Sequence, residues 1–235
     1  ALLGENGSGK TTLMNMLSGI YFPDEGKIFI NGEEATIASP IDAFRYKIGM
    51  IHQHFKLVDI FTASQNVVLG LKEKYNLKSV DTRVAEIADR YGFEIDPKKK
   101  IYDMSVSEKQ TVEIIKVLYR GADILILDEP TAVLTPQETQ KLFAVLRKMR
   151  EDGKSIIIIT HKLNEVMEIS DRVAILRKGE YITTVDTSAT NEKELTEYMV
   201  GKKVDLKIER VATDFDRPLL EIRNLTIDKD DGSRA

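Results

Sequence analysis

The sequence contains no cysteine and no tryptophan, and aromatic residues make up only 7% of its 235 residues. The absence of cysteine excludes a disulfide framework, a zinc ribbon, thiol catalysis and an iron–sulfur cluster. Long hydrophobic runs are also missing. The most apolar stretches, Ile124–Leu127 and Ile156–Ile159, have four residues each, whereas a membrane-spanning helix needs about 18 to 20. We therefore expect any membrane role to depend on a partner.

Charge is high but nearly balanced, with 34 Lys and Arg against 38 Asp and Glu and a net charge of −4. Because 42% of the residues are hydrophobic, the composition excludes disorder and predicts a globular fold of one domain or slightly more. The one basic cluster is the short run Lys98–Lys100. Without a basic face we expect no nucleic-acid partner.

Short β-branched runs alternate with helical patterns, which predicts an α/β fold with a buried parallel sheet. Helical spacing at Ala85–Tyr91 and Val112–Tyr119, with no strong strand between them, predicts an inserted helical subdomain over residues 55–121. The predicted strands are Ile28–Ile30, Ile48–Ile51, Ile124–Leu127, Ile156–Ile159 and Val173–Leu176.

A glycine-rich segment near the start of the chain matches the phosphate-binding pattern G-x-x-x-x-G-K-[ST]. Its glycines allow consecutive backbone N–H groups to turn around a phosphate. Lys10 can reach the β- and γ-phosphate oxygens, and the Thr11 hydroxyl can bind Mg²⁺. The segment predicts a nucleoside triphosphate site; the alternative is a glycine-rich turn without a ligand. Its residues are Gly4, Glu5, Asn6, Gly7, Ser8, Gly9, Lys10 and Thr11.

Two carboxylates, Asp128 and Glu129, follow the strand Ile124–Leu127. The carboxyl end of a strand lies at the sheet edge where α/β proteins bind ligands. We predict that Asp128 holds Mg²⁺ through its water, and that Glu129 orients or deprotonates the water that attacks the γ-phosphate. Adjacent acids at a strand end are otherwise solvated, but the phosphate-binding segment favours the functional interpretation.

Two further strands end in polar residues at the same predicted edge. His161 follows the isoleucine-rich strand, and we predict that it contacts the γ-phosphate and the attacking water. Gln53 follows Ile48–Ile51, and its amide can bind metal-bound water molecules.

In this order the motifs resemble those of the ATP-binding cassette (ABC) ATPases. The stretches 49–70, 119–138 and 160–173 are similar to cassettes of bacterial simple-sugar and nucleoside importers, which have two cassettes in one polypeptide. The resemblance covers residues 1 to about 204 and implies a P-loop NTPase three-layer sandwich with an inserted helical subdomain. It matches a phosphate loop at Gly4–Thr12, a Q-loop at Gln53, a signature near Ser105, the acidic pair Asp128-Glu129 and an H-switch at His161.

The resemblance implies a role for each matching residue and a set of partners. The partners are a second cassette of the same polypeptide, transmembrane permease subunits and, indirectly, an extracytoplasmic solute-binding protein, at the cytoplasmic face of the plasma membrane. It assigns Gly4 through Thr12 to the phosphates of ATP, Ser105 to the nucleotide of the partner cassette, Thr11, Gln53 and Asp128 to Mg²⁺, and Glu129, His161 and Gln53 to hydrolysis.

The signature departs from the family pattern Leu-Ser-Gly-Gly-Gln, because this chain has Met104-Ser105-Val106-Ser107-Glu108, with Thr111 where an arginine is common. If position 107 needs a positive φ, Ser107 costs about 1 kcal/mol or forces another geometry, which would slow one composite site. Thr135 stands where many cassettes have the aspartate of the D-loop, which would weaken coupling between sites. The adenine-stacking aromatic of the family precedes the phosphate loop, so ATP is expected from the resemblance alone.

We predict four segments. Residues 1–54 and 122–202 form the catalytic lobe, 55–121 the helical subdomain, 203–216 a linker, and 217–235 the first strand of a second cassette. Only Ala1–Leu3 precede the first glycine turn, whereas strands average about five to six residues, so we expect the chain to begin inside its first strand. Apolar residues after Pro218 predict the new strand.

The predicted function is ATP hydrolysis that energises import of a nucleoside or simple sugar across the bacterial plasma membrane. One alternative is a non-transport ABC ATPase of the translation or DNA-repair type. The 94 positions from Lys10 to Met104 contain no sustained heptads, which disfavours the DNA-repair type. Translation-type proteins have a long charged linker, whereas Gly201–Pro218 is short. A second alternative is a regulatory module that binds ATP without turnover, which Glu129 and His161 disfavour.

Overall fold

A computed structural model of the chain describes residues 1–71, 76–203 and 220–226. Residues 1–203 form one compact unit, and residues 204–235 belong to a second. Residues 220–226 have no helix or strand. The rest of the predicted strand 217–235, and the predicted linker from residue 204 onward, lie outside the described residues, so both stay predictions.

The first unit is built on a six-stranded, mainly parallel sheet. Its strands, in spatial order, are β4 (Ile48–Ile51), β5 (Ile124–Asp128), β6 (Ser155–Ile159), β1 (Leu2–Leu3), β7 (Arg172–Arg177) and β8 (Glu180–Asp186). Neighbouring strands are parallel except β7 and β8, which are antiparallel. This sheet confirms the predicted α/β fold, and β8 adds an edge strand that the sequence analysis missed. The strands of the chain are β1 (Leu2–Leu3), β2 (Ile28–Ile30), β3 (Glu33–Ala35), β4 (Ile48–Ile51), β5 (Ile124–Asp128), β6 (Ser155–Ile159), β7 (Arg172–Arg177) and β8 (Glu180–Asp186).

The prediction that Ile28–Ile30 belongs to the parallel sheet is wrong. This strand, β2, pairs antiparallel with β3 in a separate two-stranded sheet. Asn31 and Gly32 connect the two strands with φ values of 54° and 86°, and two consecutive residues with positive φ favour a tight hairpin. A run of three apolar residues has the same pattern in either sheet, so the hairpin turn decides the pairing.

The helical patterns predicted at residues 85–91 and 112–119 are confirmed. They belong to longer helices, α4 (Leu77–Tyr91) and α5 (Val106–Tyr119). Both begin earlier because side chains cap them: Asn76 accepts a hydrogen bond from the backbone of α4, and Ser105 from that of α5. The helices are α1 (Lys10–Leu17), α2 (Pro40–Arg45), α3 (Ala63–Val68), α4 (Leu77–Tyr91), α5 (Val106–Tyr119), α6 (Pro136–Glu151), α7 (Leu163–Ile169) and α8 (Glu192–Val200).

Helices cover both faces of the sheet, because alternate residues of β5 point to opposite sides. Leu125 and Leu127 pack in a core with Phe143 of α6. Ile126 packs in another core with Met14 of α1. The result is a three-layer arrangement with a buried central sheet.

The helices α3, α4 and α5 surround a core of their own. Its fully buried members include Val67 from α3, Val84 from α4 and Ile115 from α5. Ile114 of α5 belongs instead to the core on the sheet, so α5 packs on both groups. None of the helices in the described residues is long and apolar enough to cross a membrane. The exact division into a catalytic lobe and a helical subdomain stays a prediction.

Candidate functional site

The glycine-rich loop after β1 turns sharply into α1. Gly7 and Gly9 have positive φ values of 79° and 94°, and Gly9 is the left-handed residue at which α1 begins. At Gly4 a Cβ atom would lie 2.3 Å from the carbonyl oxygen of Leu176 and 2.4 Å from Ser8 Oγ. Side chains at these three positions would clash or force strain, so the loop conformation depends on glycine.

One pocket of about 240 Å³ is lined by this loop, by Gln53 after β4, by the acidic pair at the end of β5 and by Ile159 of β6. The pocket therefore unites residues that the sequence analysis predicted from three separate motifs. Gly4 and Glu5 do not line it; they lie behind Lys10 and bind its side chain through their carbonyl groups. The lining consists of Asn6, Gly7, Ser8, Gly9, Lys10, Thr11, Thr12, Gln53, Asp128, Glu129 and Ile159.

The ammonium group of Lys10 is held at the base of the pocket. Its Nζ donates hydrogen bonds to the carbonyl oxygens of Gly4 at 2.8 Å and Glu5 at 3.0 Å. Burial lowers the pKa of Lys10, and the nearby carboxylates of Glu129 and Asp128 partly oppose this change. Lys10 Nζ also lies 3.4 Å from Ser8 Oγ. A buried cation whose hydrogen-bond partners are neutral oxygens can exchange them for anionic phosphate oxygens.

Thr11 and Asp128 meet at the mouth of the loop, where Thr11 Oγ1 donates to Asp128 Oδ2 at 3.2 Å. Burial raises the pKa of Asp128, although the Thr11 hydrogen bond and the nearby His52 and Lys10 act in the opposite direction. The described residues contain no cluster of three or more His, Cys, Asp or Glu that could hold a metal. A hydroxyl and one carboxylate suit Mg²⁺, which keeps its other positions for phosphate oxygens and water.

Glu129 and His161, from the ends of β5 and β6, contact each other directly. The distance between Glu129 Oε1 and His161 Nδ1 is 2.8 Å. The other carboxylate oxygen, Oε2, is buried and has no hydrogen-bond partner within the described part of the chain. Glu129 has a φ of 49°, in the left-handed region that non-glycine residues rarely adopt. Such strain concentrates at functional sites, and a buried lone oxygen requires water or a ligand.

The segment after Gln53 is tied to α5 by residues that the sequence analysis missed. Glu113, which is buried, accepts a hydrogen bond of 2.5 Å from the backbone N–H of Lys56. Lys116 Nζ donates to the Lys56 carbonyl at 3.0 Å and lies 3.3 Å from Glu113 Oε2. A signal existed in the sequence: Glu113 and Lys116 interrupt an apolar helical run at a spacing of three residues.

A second buried polar residue of α5, Gln110, reaches the segment that follows the acidic pair. Its Nε2 donates to the carbonyl oxygen of Pro130 at 2.7 Å. Pro130 directly follows Glu129, so α5 contacts the backbone next to the candidate base. The sequence analysis assigned no role to Gln110.

Ser105 does not line the phosphate-loop pocket. It caps α5, where Ser105 Oγ accepts from the Glu108 N–H at 3.2 Å and Glu108 Oε2 accepts from the Ser105 N–H at 2.8 Å. Ser105 and Ser107 line a separate groove of about 500 Å³ beside α6. Any contact of Ser105 with a nucleotide would therefore involve a different phosphate loop.

Position 107 does not have the positive φ that would make serine costly there. Ser107 lies in the first turn of α5, and it does not belong to the non-glycine residues that have a positive φ in the described chain. Thr111 Oγ1 donates to the Ser107 carbonyl oxygen at 3.1 Å, within the same helix. Thr135 is the cap of α6, with its Oγ1 accepting from the Glu138 N–H at 3.3 Å.

A sequence model described as "ABC transporter" matches residues 1–132, more than half of the chain. The chain belongs to the ABC transporter family. Membership confirms the resemblance of the motifs, and the sheet and helices described above are those of a P-loop NTPase cassette. A solved structure of cbiO1 from Clostridium perfringens, part of the ABC transporter complex cbiONQ, has 29% sequence identity and a TM-score of 0.69. The match covers 80% of this chain and 76% of the cbiO1 chain.

Two curated relatives of this cassette are import proteins. The nucleoside import ATP-binding protein NupA of Lactococcus lactis subsp. cremoris is 46% identical over 237 aligned positions, which cover 99% of this chain and 47% of NupA. The guanosine import ATP-binding protein NupO of Bacillus subtilis is 49% identical over 231 positions, 97% of this chain and 45% of NupO. The chain spans about half the length of these relatives.

Proposed function

We propose that this cassette hydrolyses ATP and that Glu129 is the general base. The observation that supports this most directly is the state of its carboxylate. One oxygen is held by His161 at 2.8 Å, and the other is buried without a partner in the described residues, beside the phosphate-loop pocket. A water molecule bound to that free oxygen would satisfy it and would face the terminal phosphate.

The binding of ATP follows from the loop and its surroundings. The backbone N–H groups of the glycine-rich loop and the start of α1 would face the phosphates, and Lys10 would move its ammonium group onto their oxygens. Thr11 and Asp128, with Gln53 nearby, would hold Mg²⁺, which neutralises charge on the β- and γ-phosphates when bound. The oxygen donors that meet here suit this ion.

Hydrolysis then needs one proton transfer and one displacement. Glu129 takes the proton from the water as the water oxygen bonds to the γ-phosphorus, and the bond from phosphorus to the ADP oxygen breaks. His161, in contact with Glu129, would keep the carboxylate oriented. It does not line the pocket in this structure, and its predicted contact with the γ-phosphate is part of the proposal. The products are ADP and inorganic phosphate.

The cassette is further proposed to be the first half of a tandem polypeptide. Its relatives are about twice its length, and Ser105 lies away from the phosphate-loop pocket of its own chain. Ser105 and the start of α5 would then contact the nucleotide bound by a second cassette. In this arrangement the predicted segments 203–216 and 217–235 would be the linker and the first strand of that cassette.

The transport function that we propose is nucleoside import. It rests on the printed functions of NupA and NupO. The full-length protein would act at the cytoplasmic face of the plasma membrane, where it would bind transmembrane permease subunits. A solute-binding protein on the outside would deliver the nucleoside.

The test is ATP hydrolysis by the full-length protein in lipid vesicles that contain its permease subunits, with the solute-binding protein added. We expect guanosine or a pyrimidine nucleoside to stimulate phosphate release, and ribose and glucose to have no effect. A Glu129→Gln variant measures the rate that comes from any other site. If only a sugar stimulates phosphate release, the proposed transported solute is a sugar and not a nucleoside. Turnover that ignores both the permease and all solutes would contradict the transport function and favour a non-transport ATPase.

A further inference from the structure

A buried polar cluster lies behind Glu129 and His161. Thr131 is fully buried, and Glu165 of α7 is nearly so. Thr131 Oγ1 donates a hydrogen bond of 2.6 Å to Glu165 Oε2. This is a short, charge-assisted contact between two segments that are 34 residues apart.

Lys162 completes the cluster. Its Nζ lies 3.0 Å from Glu165 Oε1. The same atom donates to the Thr131 carbonyl oxygen at 3.0 Å and to Thr131 Oγ1 at 3.1 Å. The Thr131 hydroxyl thus accepts from the lysine while it donates to the glutamate. The three side chains satisfy one another, with Thr131 and Glu165 buried and Lys162 partly exposed.

The cluster joins the two loops that present the candidate base and the histidine. Thr131 is two residues after Glu129, and the turn between them is closed by a hydrogen bond of 3.2 Å from the Ala132 N–H to the Glu129 carbonyl. Lys162 directly follows His161. The loops are therefore connected twice, once through the buried cluster and once through the 2.8 Å contact between Glu129 and His161.

This double connection can stabilise the backbone conformation of Glu129. Its left-handed backbone conformation, with φ at 49°, persists only where the surrounding structure enforces it. Thr131, Lys162 and Glu165 do not line the pocket. Any effect of these side chains on the pocket must therefore pass through the loops that carry Glu129 and His161.

We infer that Thr131, Lys162 and Glu165 are positioning residues that hold Glu129 and His161 in register for attack of water on ATP. The inference rests on the proposed function, because it concerns the hydrolytic step. It separates this cluster from ATP binding, because the cluster does not line the pocket and the side-chain hydrogen bonds of Lys10 in the described residues go to Gly4, Glu5 and Ser8. Loss of the cluster should therefore slow turnover and leave nucleotide affinity unchanged.

The decisive comparison is Thr131→Val against Thr131→Ser in the full-length protein. Valine has the shape of threonine but lacks the hydroxyl, whereas serine keeps it. We expect Thr131→Val to lower kcat at least about tenfold with the KM for ATP within about twofold, because misplacement of a catalytic group by about 1 Å can cost a factor of about 100. We expect Thr131→Ser to restore most of the rate.

Two further variants guard against a folding artefact. Glu165→Gln keeps the size of the side chain and one acceptor oxygen but removes its charge, and we expect the same loss in kcat at constant KM. Glu168→Gln is the matched control on the same helix, since Glu168 contacts the exposed Arg147, and we expect turnover equal to the unchanged protein. The shift in unfolding temperature on adding ATP and Mg²⁺ should be the same in all variants.

The outcomes distinguish failure of the positioning role from failure of the proposed ATPase function. If the unchanged protein exceeds Glu129→Gln in phosphate release while Thr131→Val and Glu165→Gln equal the unchanged protein, the positioning role is wrong and the ATPase stands. A loss in Thr131→Val that serine does not restore, or a rise in KM that accounts for the loss, also overturns it. If the unchanged protein does not exceed Glu129→Gln, the proposed function fails first, and the positioning role fails with it.

Discussion

The buried carboxylate of Glu113 accepts a hydrogen bond from the backbone N–H of Lys56, which lies 57 residues earlier in the chain. Lys116 Nζ donates to the carbonyl oxygen of the same residue. Both backbone groups of Lys56 are therefore bound to α5, and Gln53, three residues before Lys56, reaches the phosphate-loop pocket. The helix that Ser105 caps and the loop that presents Gln53 are thus linked by hydrogen bonds from Glu113 and Lys116, which pair with each other within α5, to the backbone of Lys56.

Replacement of Glu113 should destabilise this link. In Glu113→Ala the Lys56 N–H loses its acceptor and Lys116 loses its carboxylate, and removal of one partner from a buried pair costs about 3–5 kcal/mol. In Glu113→Gln the amide oxygen still accepts from Lys56, so we expect a smaller loss of about 1–2 kcal/mol. Thermal unfolding of the full-length variants measures the difference.

The exposed Glu86 of α4 offers the control, and Glu86→Ala should change the free energy of unfolding by less than about 0.5 kcal/mol. Equal unfolding temperatures for Glu113→Ala and Glu86→Ala would show that the link contributes nothing to stability.

Glu129→Gln should remove the turnover that depends on this site and keep ATP binding. Glutamine cannot accept the proton of the attacking water, and loss of a general base costs about 10²–10⁴ in rate. The nucleotide contacts of Lys10 and Thr11 are unaffected, so ATP with Mg²⁺ should raise the unfolding temperature as in the unchanged protein. Phosphate release and thermal shift are the two measurements. Glu151→Gln, at the exposed end of α6, is the control, and equal turnover in both variants would mean that another group is the base.

Asp128 and Asp123 should respond to pH with opposite signs. Burial raises the pKa of Asp128, so the folded protein disfavours its ionised form, and its contribution to stability falls as pH rises above the unfolded value of about 3.9. Without ATP, Asp128→Asn should therefore raise the unfolding temperature at pH 7, and this gain should vanish toward pH 4. The same variant should lose the stabilisation that ATP with Mg²⁺ provides.

Asp123 is the matched opposite case. Its hydrogen bonds with Lys154 at 2.6 Å and Lys47 at 2.7 Å lower its pKa. Its contribution is therefore present above the unfolded value and is lost as pH falls through the lower, folded value. Asp123→Asn should lower the unfolding temperature at pH 7. The free energy of unfolding should fall by less than about 1 kcal/mol, because the side chain is 45% exposed. Shifts of the same sign for both asparagine variants would refute the assignment.

Ser107→Gly should lower the stability of α5. Because Ser107 has a helical conformation, glycine relieves no strain there, and its poorer helix propensity costs about 0.5 kcal/mol relative to serine. Ser107→Ala should be neutral or slightly stabilising in the same thermal unfolding experiment. A gain in stability from glycine would indicate that position 107 does need a positive φ.

The sequence was sufficient where chemistry depends on consecutive residues. The phosphate loop from Gly4 to Thr11 determines its own conformation, since glycine freedom and the start of α1 are local properties. The same holds for Asp128 and Glu129, whose position at the end of an apolar run places them at the edge of the sheet. Periodicity also predicted α4 and α5, whose apolar residues recur at helical spacing.

Local patterns were insufficient where strand pairing or a distant partner decides the outcome. Ile28–Ile30 belongs to a hairpin because the Asn31-Gly32 turn returns the chain onto it. The sequence left open whether position 107 has a positive φ. The capping contact between Ser105 and Glu108 places Ser107 in the first turn of α5, where its φ is not positive.

The tertiary structure alone decided which polar residues meet inside the protein. Glu113 and Lys56, or Thr131 and Glu165, are ordinary residues in the sequence, and no spacing relates them. Sheet order and helix packing bring them together, and burial then makes each contact obligatory, because an unpaired polar group in the interior costs more than the hydrogen bond is worth in water. The sequence thus determined the phosphate loop and the acidic pair of this protein, whereas the packing of distant segments decided which side chains hold their neighbours in place.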